Sequence, residues 1–175
     1  MYIFCLMVHV LIDGYNLMAK MDGLSGNLEA RRERFLQALS QYRAQKYHEV
    51  IVVFDGEKGG WGTESHERTM GIIIVFSRLG EKADDIIKRM VKDDDVEYTV
   101  ITSDKEVASF AETFGHTAIP SEDFIPKLRI RSNVTAGEWK DEDNDDYRPV
   151  TVKKKGNPNK LSKAARKRKQ KLDRL

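Results

Sequence analysis

Apolar residues in this chain fall into two kinds of segment. Short runs rich in β-branched residues, Met7 to Ile12, Val50 to Phe54, Ile72 to Phe76 and Tyr98 to Ser103, read as buried strands. Between them the apolar positions take helical spacing. Leu28, Phe35, Leu39 and Tyr42 mark one face of a helix from Leu28 to Lys46, and Ala83, Ile86, Ile87 and Met90 mark another from Glu81 to Val91. A third helix, Lys105 to Phe114, ends at Gly115 and is followed by a short last strand, His116 to Ile119. Asp13-Gly14-Tyr15-Asn16 reads as a turn entering a glycine-spaced loop, and Asp55 to Gly62 as a glycine-rich loop around Trp61. Strands that alternate with helices predict a three-layer α/β/α sandwich on a mainly parallel sheet.

Three of these runs end in an aspartate: Asp13, Asp55 and Asp104. In a parallel sheet the carboxyl ends of the strands share one edge, where open α/β folds bind ligands. Asp84 and Asp85 add carboxylates after the Ile72 to Phe76 strand. Neighbours on a helix point about 100° apart, so only one of the pair can face the site. Ile86 and Ile87 assign the buried stripe and so favour Asp84. Any single aspartate here has an ordinary use as a helix cap or turn residue, and Asp104 is well placed to cap the helix at Lys105. Several together repel and raise one another's pKa unless a cation sits among them, and a hard divalent ion with oxygen ligands answers that. Asn16 stands where it can turn back beside Asp13 as an oxygen ligand or a hydrogen-bond anchor.

The formal charge of +2 hides an asymmetry: residues 151–175 hold eight Lys, three Arg and one Asp, a net +10 that leaves −8 on residues 1–150. Six acidic residues from Gly137 to Asp146 make that stretch too charged to bury much surface. The expected organisation is an N-terminal extension at 1–6, a catalytic domain at 7–130, an acidic linker at 131–150 and a separate basic tail at 151–175 that binds RNA or the ribosome. Met1 to Ile12 has no basic leader and no cleavage motif, so a strand is expected there and the chain reads as cytoplasmic. The single Cys5 offers no disulfide and no zinc site.

Other chemistries lack their motifs. There is no G-x-G-x-x-G, no P-loop and no G-x-S-x-G elbow, and His9, His48, His66 and His116 have no zinc-ligand spacing.

The ordered segments Val10-Leu-Ile-Asp-Gly-Tyr-Asn16, Leu28-Glu-Ala-Arg31, Ile51-Val-Val-Phe-Asp-Gly56, Val75-Phe-Ser to Glu81-Lys-Ala-Asp84 and Val100-Ile-Thr-Ser-Asp104 resemble the YacP-like branch of the NYN-domain family, itself similar to the PIN nucleases. The resemblance covers residues 7–125 and leaves the basic tail outside. It implies a PIN-like fold, a Mg²⁺ or Mn²⁺ site and endoribonuclease activity, with mRNA cleavage on the ribosome known in the branch. Carried over by position, Asp13, Asp84 and Asp104 form the acidic core, with Asn16, Asp55 and Ser103 in support and Asp55 among the metal ligands. Arg31 and Lys82 are the expected holders of flanking phosphates, and Trp61 is placed to stack on an unpaired base. Two rivals stand beside this reading. One is a phosphoacceptor or phosphatase using Asp13 as nucleophile, which lacks an Asp-x-Asp pair. The other is a non-catalytic RNA- or ribosome-binding protein with a degenerate site.

Overall fold

The computed structural model describes residues 7–22, 26–56, 62–129 and 162–175. In chain order the elements are β1 His9–Asp13, α1 Gly14–Asp22, α2 Leu28–Lys46, β2 Glu49–Phe54, β3 Ser65–Thr69, β4 Ile72–Phe76, α3 Ala83–Asp93, β5 Tyr98–Ile101, α4 Lys105–Thr113, β6 Thr117–Ile119, α5 Ser121–Arg129 and α6 Lys163–Arg174. One sheet carries all six strands in the order β3-β4-β2-β1-β5-β6. Every pairing is parallel except β3 with β4.

Alternation along the strands divides the core into two layers, as period-2 side chains require. Val10, Ile12, Val50, Val52, Phe54, Ile72, Ile74 and Phe76 face α1, α2 and α5. Leu11, Ile51, Val53, Val75 and Val100 face α3 and α4. Burial on both faces explains why these strands read as continuous apolar runs. The three-layer prediction holds.

Local chemistry sets the helix limits. The Asn27 side chain accepts from the N–H groups of Glu29 (2.9 Å) and Ala30 (3.4 Å) and so starts α2, which closes on Tyr47 in the left-handed region at φ 55°.

Three elements differ from the sequence reading. The segment after Asp13 is a helix, α1, rather than an open loop. It begins on Gly14 because the chain passes so close to β2 that a Cβ there would lie 2.4 Å from the Phe54 ring. β3 is an added edge strand whose SHERT sequence has no apolar face, and a central turn Met70-Gly71 returns it to β4. α5 forms despite Pro126, with Phe124, Ile125 and Leu128 packed into the core.

The C-terminal helix also departs from expectation: α6 is docked on the domain rather than held apart as a tail. Leu175 is fully buried and Leu172 packs beside it. Arg168 pairs with Glu112 at 2.9 Å, Lys171 with Glu97 at 3.2 Å, and Lys167 Nζ donates to the Gly115 carbonyl at 2.7 Å. His48 ties the end down: its Nε2 donates to the Arg174 carbonyl at 3.2 Å while Nδ1 accepts from the Val8 N–H at 3.4 Å. His48, Glu97 and Gly115 all precede the amino ends of strands, so α6 sits at the sheet edge opposite the aspartates. The extension at 1–6, the acidic linker and residues 151–161 lie outside the described residues, as does Trp61.

Candidate active site

β2, β1 and β5 are central neighbours, and the chain leaves β1 on one side for β2 and β4 and returns on the other to β5 and β6. That reversal of direction opens a crevice at the carboxyl end of β1. Asp13 ends β1, Asp55 follows β2, Thr102 to Asp104 follow β5, and Asp84 enters in the first turn of α3 after β4.

Asp13 is the buried centre, 7% exposed. Its Oδ1 accepts from the Asn16 N–H at 3.2 Å and its Oδ2 from the Thr102 hydroxyl at 3.3 Å. Burial pushes its pKa up to about 7, and the nearby Asp84 and Asp55 charges add to the rise against those two hydrogen bonds. Asp84 is raised as well, by burial first and then by Asp104, with Lys88 acting against it. Asp84 is thus coupled to Asp13, Asp55 and Asp104, and Asp13 to Asp84 and Asp55. Asp85 is exposed, and its Oδ2 accepts from the Lys82 N–H at 3.3 Å, which turns it away as the sequence required.

Two of the four also cap helices. Asp104 Oδ1 accepts from the N–H groups of Glu106 (2.7 Å) and Val107 (3.1 Å), starting α4. Asp55 Oδ1 accepts from the Ala83 N–H at 2.6 Å, pinning the start of α3 to the end of β2. Capping and site-building are here the same contacts. They occupy one oxygen of each carboxylate.

Asn16 is an anchor. Its Oδ1 accepts from the Ser103 N–H at 3.1 Å and the Ser121 hydroxyl at 2.8 Å, joining α1, the β5 loop and α5. The Ser103 hydroxyl donates to Glu122 at 2.6 Å, and Lys20 pairs with the same carboxylate at 2.6 Å. Those two partners hold the Glu122 carboxyl well below the usual range, at about 2. The sequence reading did not include Thr102, Ser121, Glu122 or Lys20. Thr102 lies inside the recognised Val100 to Asp104 segment, whereas Ser121, Glu122 and Lys20 carry no spacing signal.

Lys82 is exposed at the start of α3, open to an anion. Arg31 is 3% exposed in the first turns of α2, and such burial removes it from the reach of a phosphate in solution. Its neighbour Arg32 is the one that reaches the surface, lying 5.4 Å from the Phe76 ring and 5.9 Å from that of Phe54.

A divalent ion can be tested against this donor set. The ligand atoms are hard carboxylate oxygens, and Asp13 and Asp84 are raised by burial first and by mutual repulsion second, both of which Mg²⁺ or Mn²⁺ would offset. Among the described residues, however, no group of three or more His, Cys, Asp or Glu side chains stands close enough to hold an ion without adjustment. The donor chemistry suits such an ion, and side chains would have to rotate for three of them to reach it.

Comparison with known proteins agrees with the architecture. No curated protein matches the chain. Two solved structures of Rae1 (YacP) from Bacillus subtilis resemble it. A single-residue variant is 21% identical with a TM-score of 0.57, covering 70% of this chain and 75% of that one. The unaltered protein is 23% identical with a TM-score of 0.54, covering 70% and 74%. At that identity the likeness shows the fold, which is PIN-like. The family model for the YacP-like NYN domain matches residues 10–174, so the match takes in α6 and extends past the 7–125 read from motifs. The chain belongs to the YacP-like NYN domain family, whose domain is nuclease-like.

Proposed function

We propose that this protein is a divalent-metal-dependent endoribonuclease, with Asp13, Asp84 and Asp104 as the catalytic carboxylates and Asp55 as a further ligand for Mg²⁺ or Mn²⁺. The observation that carries the reading is the buried Asp13 carboxyl at the switch point of the sheet, pushed to about 7 with Asp84 and Asp55 beside it. A bound ion would supply charge neutralisation at the phosphate and a more acidic water. The chain's own residues do the rest. Asn16 and Thr102 orient Asp13, the caps on α3 and α4 hold Asp55 and Asp104, and Lys82 meets a flanking phosphate. Trp61 is retained as a base-stacking residue, and Ser103 as a supporting one.

RNA, and mRNA at the ribosome in particular, is the substrate class we assign. Lys163, Arg166 and Lys169 are exposed on α6 and would contact RNA from the far edge of the sheet. A non-catalytic RNA- or ribosome-binding role is the alternative, and the spacing of the carboxylates short of a ligand cage is the observation in its favour. Purified protein and its Asp13→Asn variant, incubated with a labelled RNA panel in EDTA, Mg²⁺ and Mn²⁺, decide between them. Metal-dependent cleavage lost in the variant supports the nuclease. RNA binding with no cleavage in either metal supports the alternative.

A further inference from the structure

A groove of about 520 Å³ opens on the α2 face of the sheet, between that helix and the β3–β4 hairpin. Its size lies within the ~300–1,000 Å³ common for small-molecule sites. Leu36, Ile74 and Phe76 form an apolar floor, and Glu29, Glu33 and Glu67 stand along the rim. Arg32 is its only cationic lining residue among those described.

A chain of side-chain contacts links the groove to the acidic edge. Its upper end is Phe76, which stacks on Phe54 at 5.6 Å between ring centroids. Phe54 in turn meets Tyr15 at 5.0 Å and is followed by Asp55. Tyr15 feels both Arg32 and Asp55 electrostatically. Arg32 thus stands between groove and acids, its guanidinium held over two rings.

We infer that the groove is a subsite for one unpaired nucleobase of the substrate RNA, selective for guanine, with Arg32 at the phosphate that links this base to the cleavage site. The charge pattern argues for a base rather than backbone, because three carboxylates along the rim repel phosphate. Carboxylates accept hydrogen bonds and donate none at neutral pH. Guanine alone among the four bases presents two adjacent donors, N1–H and N2–H₂, on its Watson–Crick edge, the edge by which single-stranded RNA is read. A carboxylate takes such a pair side by side, as it takes a guanidinium. The apolar floor would receive the purine face. This inference rests on the nuclease reading for its substrate and on the groove alone for its selectivity.

Binding is measured apart from cleavage, so that the two readings fail separately. Wild-type protein in EDTA is titrated with fluorescein-labelled single-stranded hexanucleotides carrying one guanine, inosine, 2-aminopurine or adenine in a uridine background. Guanine should bind about tenfold tighter than adenine, with inosine and 2-aminopurine in between, since each lacks one of the two donors. Glu33→Gln and Glu67→Gln, both exposed, should together remove that preference, while the affinity of all-uridine RNA holds or rises as two negative charges leave the rim. Arg32→Ala should weaken every oligonucleotide alike. Equal affinity for all four bases in wild type, or an unchanged guanine preference in the double variant, overturns the subsite. So does a hexalysine peptide that perturbs the backbone amides of Glu29 to Leu36 in NMR spectra when no oligonucleotide does. Selective binding with no cleavage in any metal would sink the nuclease reading and leave the subsite standing.

Discussion

The two edges of the sheet treat charge in opposite ways. At the carboxyl edge four aspartates sit near one another, partly buried, with Asp13 and Asp84 driven up in pKa by burial and mutual repulsion. At the amino edge the basic α6 lies on Glu97 and Glu112, opposite charges paired near the surface. The first arrangement stores unfavourable energy that a cation or a proton releases. The second holds little energy either way, because exposed pairs in high dielectric are worth roughly 0–1 kcal/mol. Like charge kept together by backbone N–H donors is what the proposed metal site rests on, whereas complementary charge on a surface marks a place where one element rests on another.

The largest effects should follow from removing the stored charge. Asp13→Asn, Asp84→Asn and Asp104→Asn should each lower metal-dependent RNA cleavage by at least about a hundredfold, the scale on which single electrostatic groups act in catalysis. Asparagine keeps the cap at Asp104 and the oxygen acceptor at Asp13, so the fold should survive. In chelator the sign on stability reverses. The Asp13 carboxyl binds its proton more tightly folded, at about 7, than unfolded near 3.8. Its contribution is therefore present at low pH and lost as pH rises through 7. Asp13→Asn should melt higher than wild type at pH 8 in EDTA, with the difference vanishing near pH 4. A variant less stable than wild type at pH 8 would remove the strain from the carboxyl edge.

Asn16→Ala comes next. It deletes the acceptor shared by the Ser103 N–H and the Ser121 hydroxyl, leaving partly buried donors unsatisfied. A loss of about 1–3 kcal/mol is expected from urea unfolding, with cleavage falling as the Ser103–Asp104 loop loses its tie to α1. Unchanged stability would show that water replaces the side chain without cost.

Much of the carboxyl edge was legible in the sequence because buried parallel strands write themselves as apolar runs and the aspartates end them. The predicted bounds of α2 and β4 match the structure, and Asp104 caps α4 as read. What escaped had no period to detect. α1 hides behind a Gly-Tyr-Asn turn signal, since glycine at its start serves the close approach to Phe54 rather than a turn. β3 is exposed on both faces, so nothing in Ser65–Thr69 alternates. Pro126 broke the pattern of α5. The docking of α6 rests on Leu172, Leu175 and contacts to residues far back in the chain, which a count of lysines and arginines turns into a free basic arm.

A smaller effect should come from pH at the amino edge. Burial lowers the His48 pKa below its ordinary 6.5, with Lys46 adding to the fall against the Arg174 carbonyl bond. The ring faces the Val8 N–H, the Arg174 carbonyl and the Tyr42 ring. A group whose folded pKa is depressed in this direction is neutral in the fold, and a base that must stay neutral loses stability on acidification. The latch contributes fully above about pH 6.5 and weakens as pH falls from there through the lowered folded pKa, because protonated Nδ1 no longer accepts from Val8. Hydrogen exchange of the α6 amides should quicken between pH 7 and pH 5 more than that of the β1 and β2 amides. Parallel acceleration of all three would assign the change to global unfolding.

The smallest effect tests whether the amino edge is as cheap as its exposure implies. Glu97→Gln with Glu112→Gln removes the partners of Lys167, Lys171 and Arg168, whose side chains and partners are for the most part well exposed. The change in unfolding free energy should stay below about 1 kcal/mol and shrink in high salt. α6 should remain docked, since the buried Leu175 and the His48 bond to Arg174 are untouched. The same variant leaves three cations without a counter-charge. Its affinity for structured RNA should therefore rise, with a steeper dependence on salt, if α6 meets phosphate from this edge. A loss of several kcal/mol would make the ion pairs the true fastening of the helix, and the contrast between the two edges would have to be redrawn with electrostatics holding both.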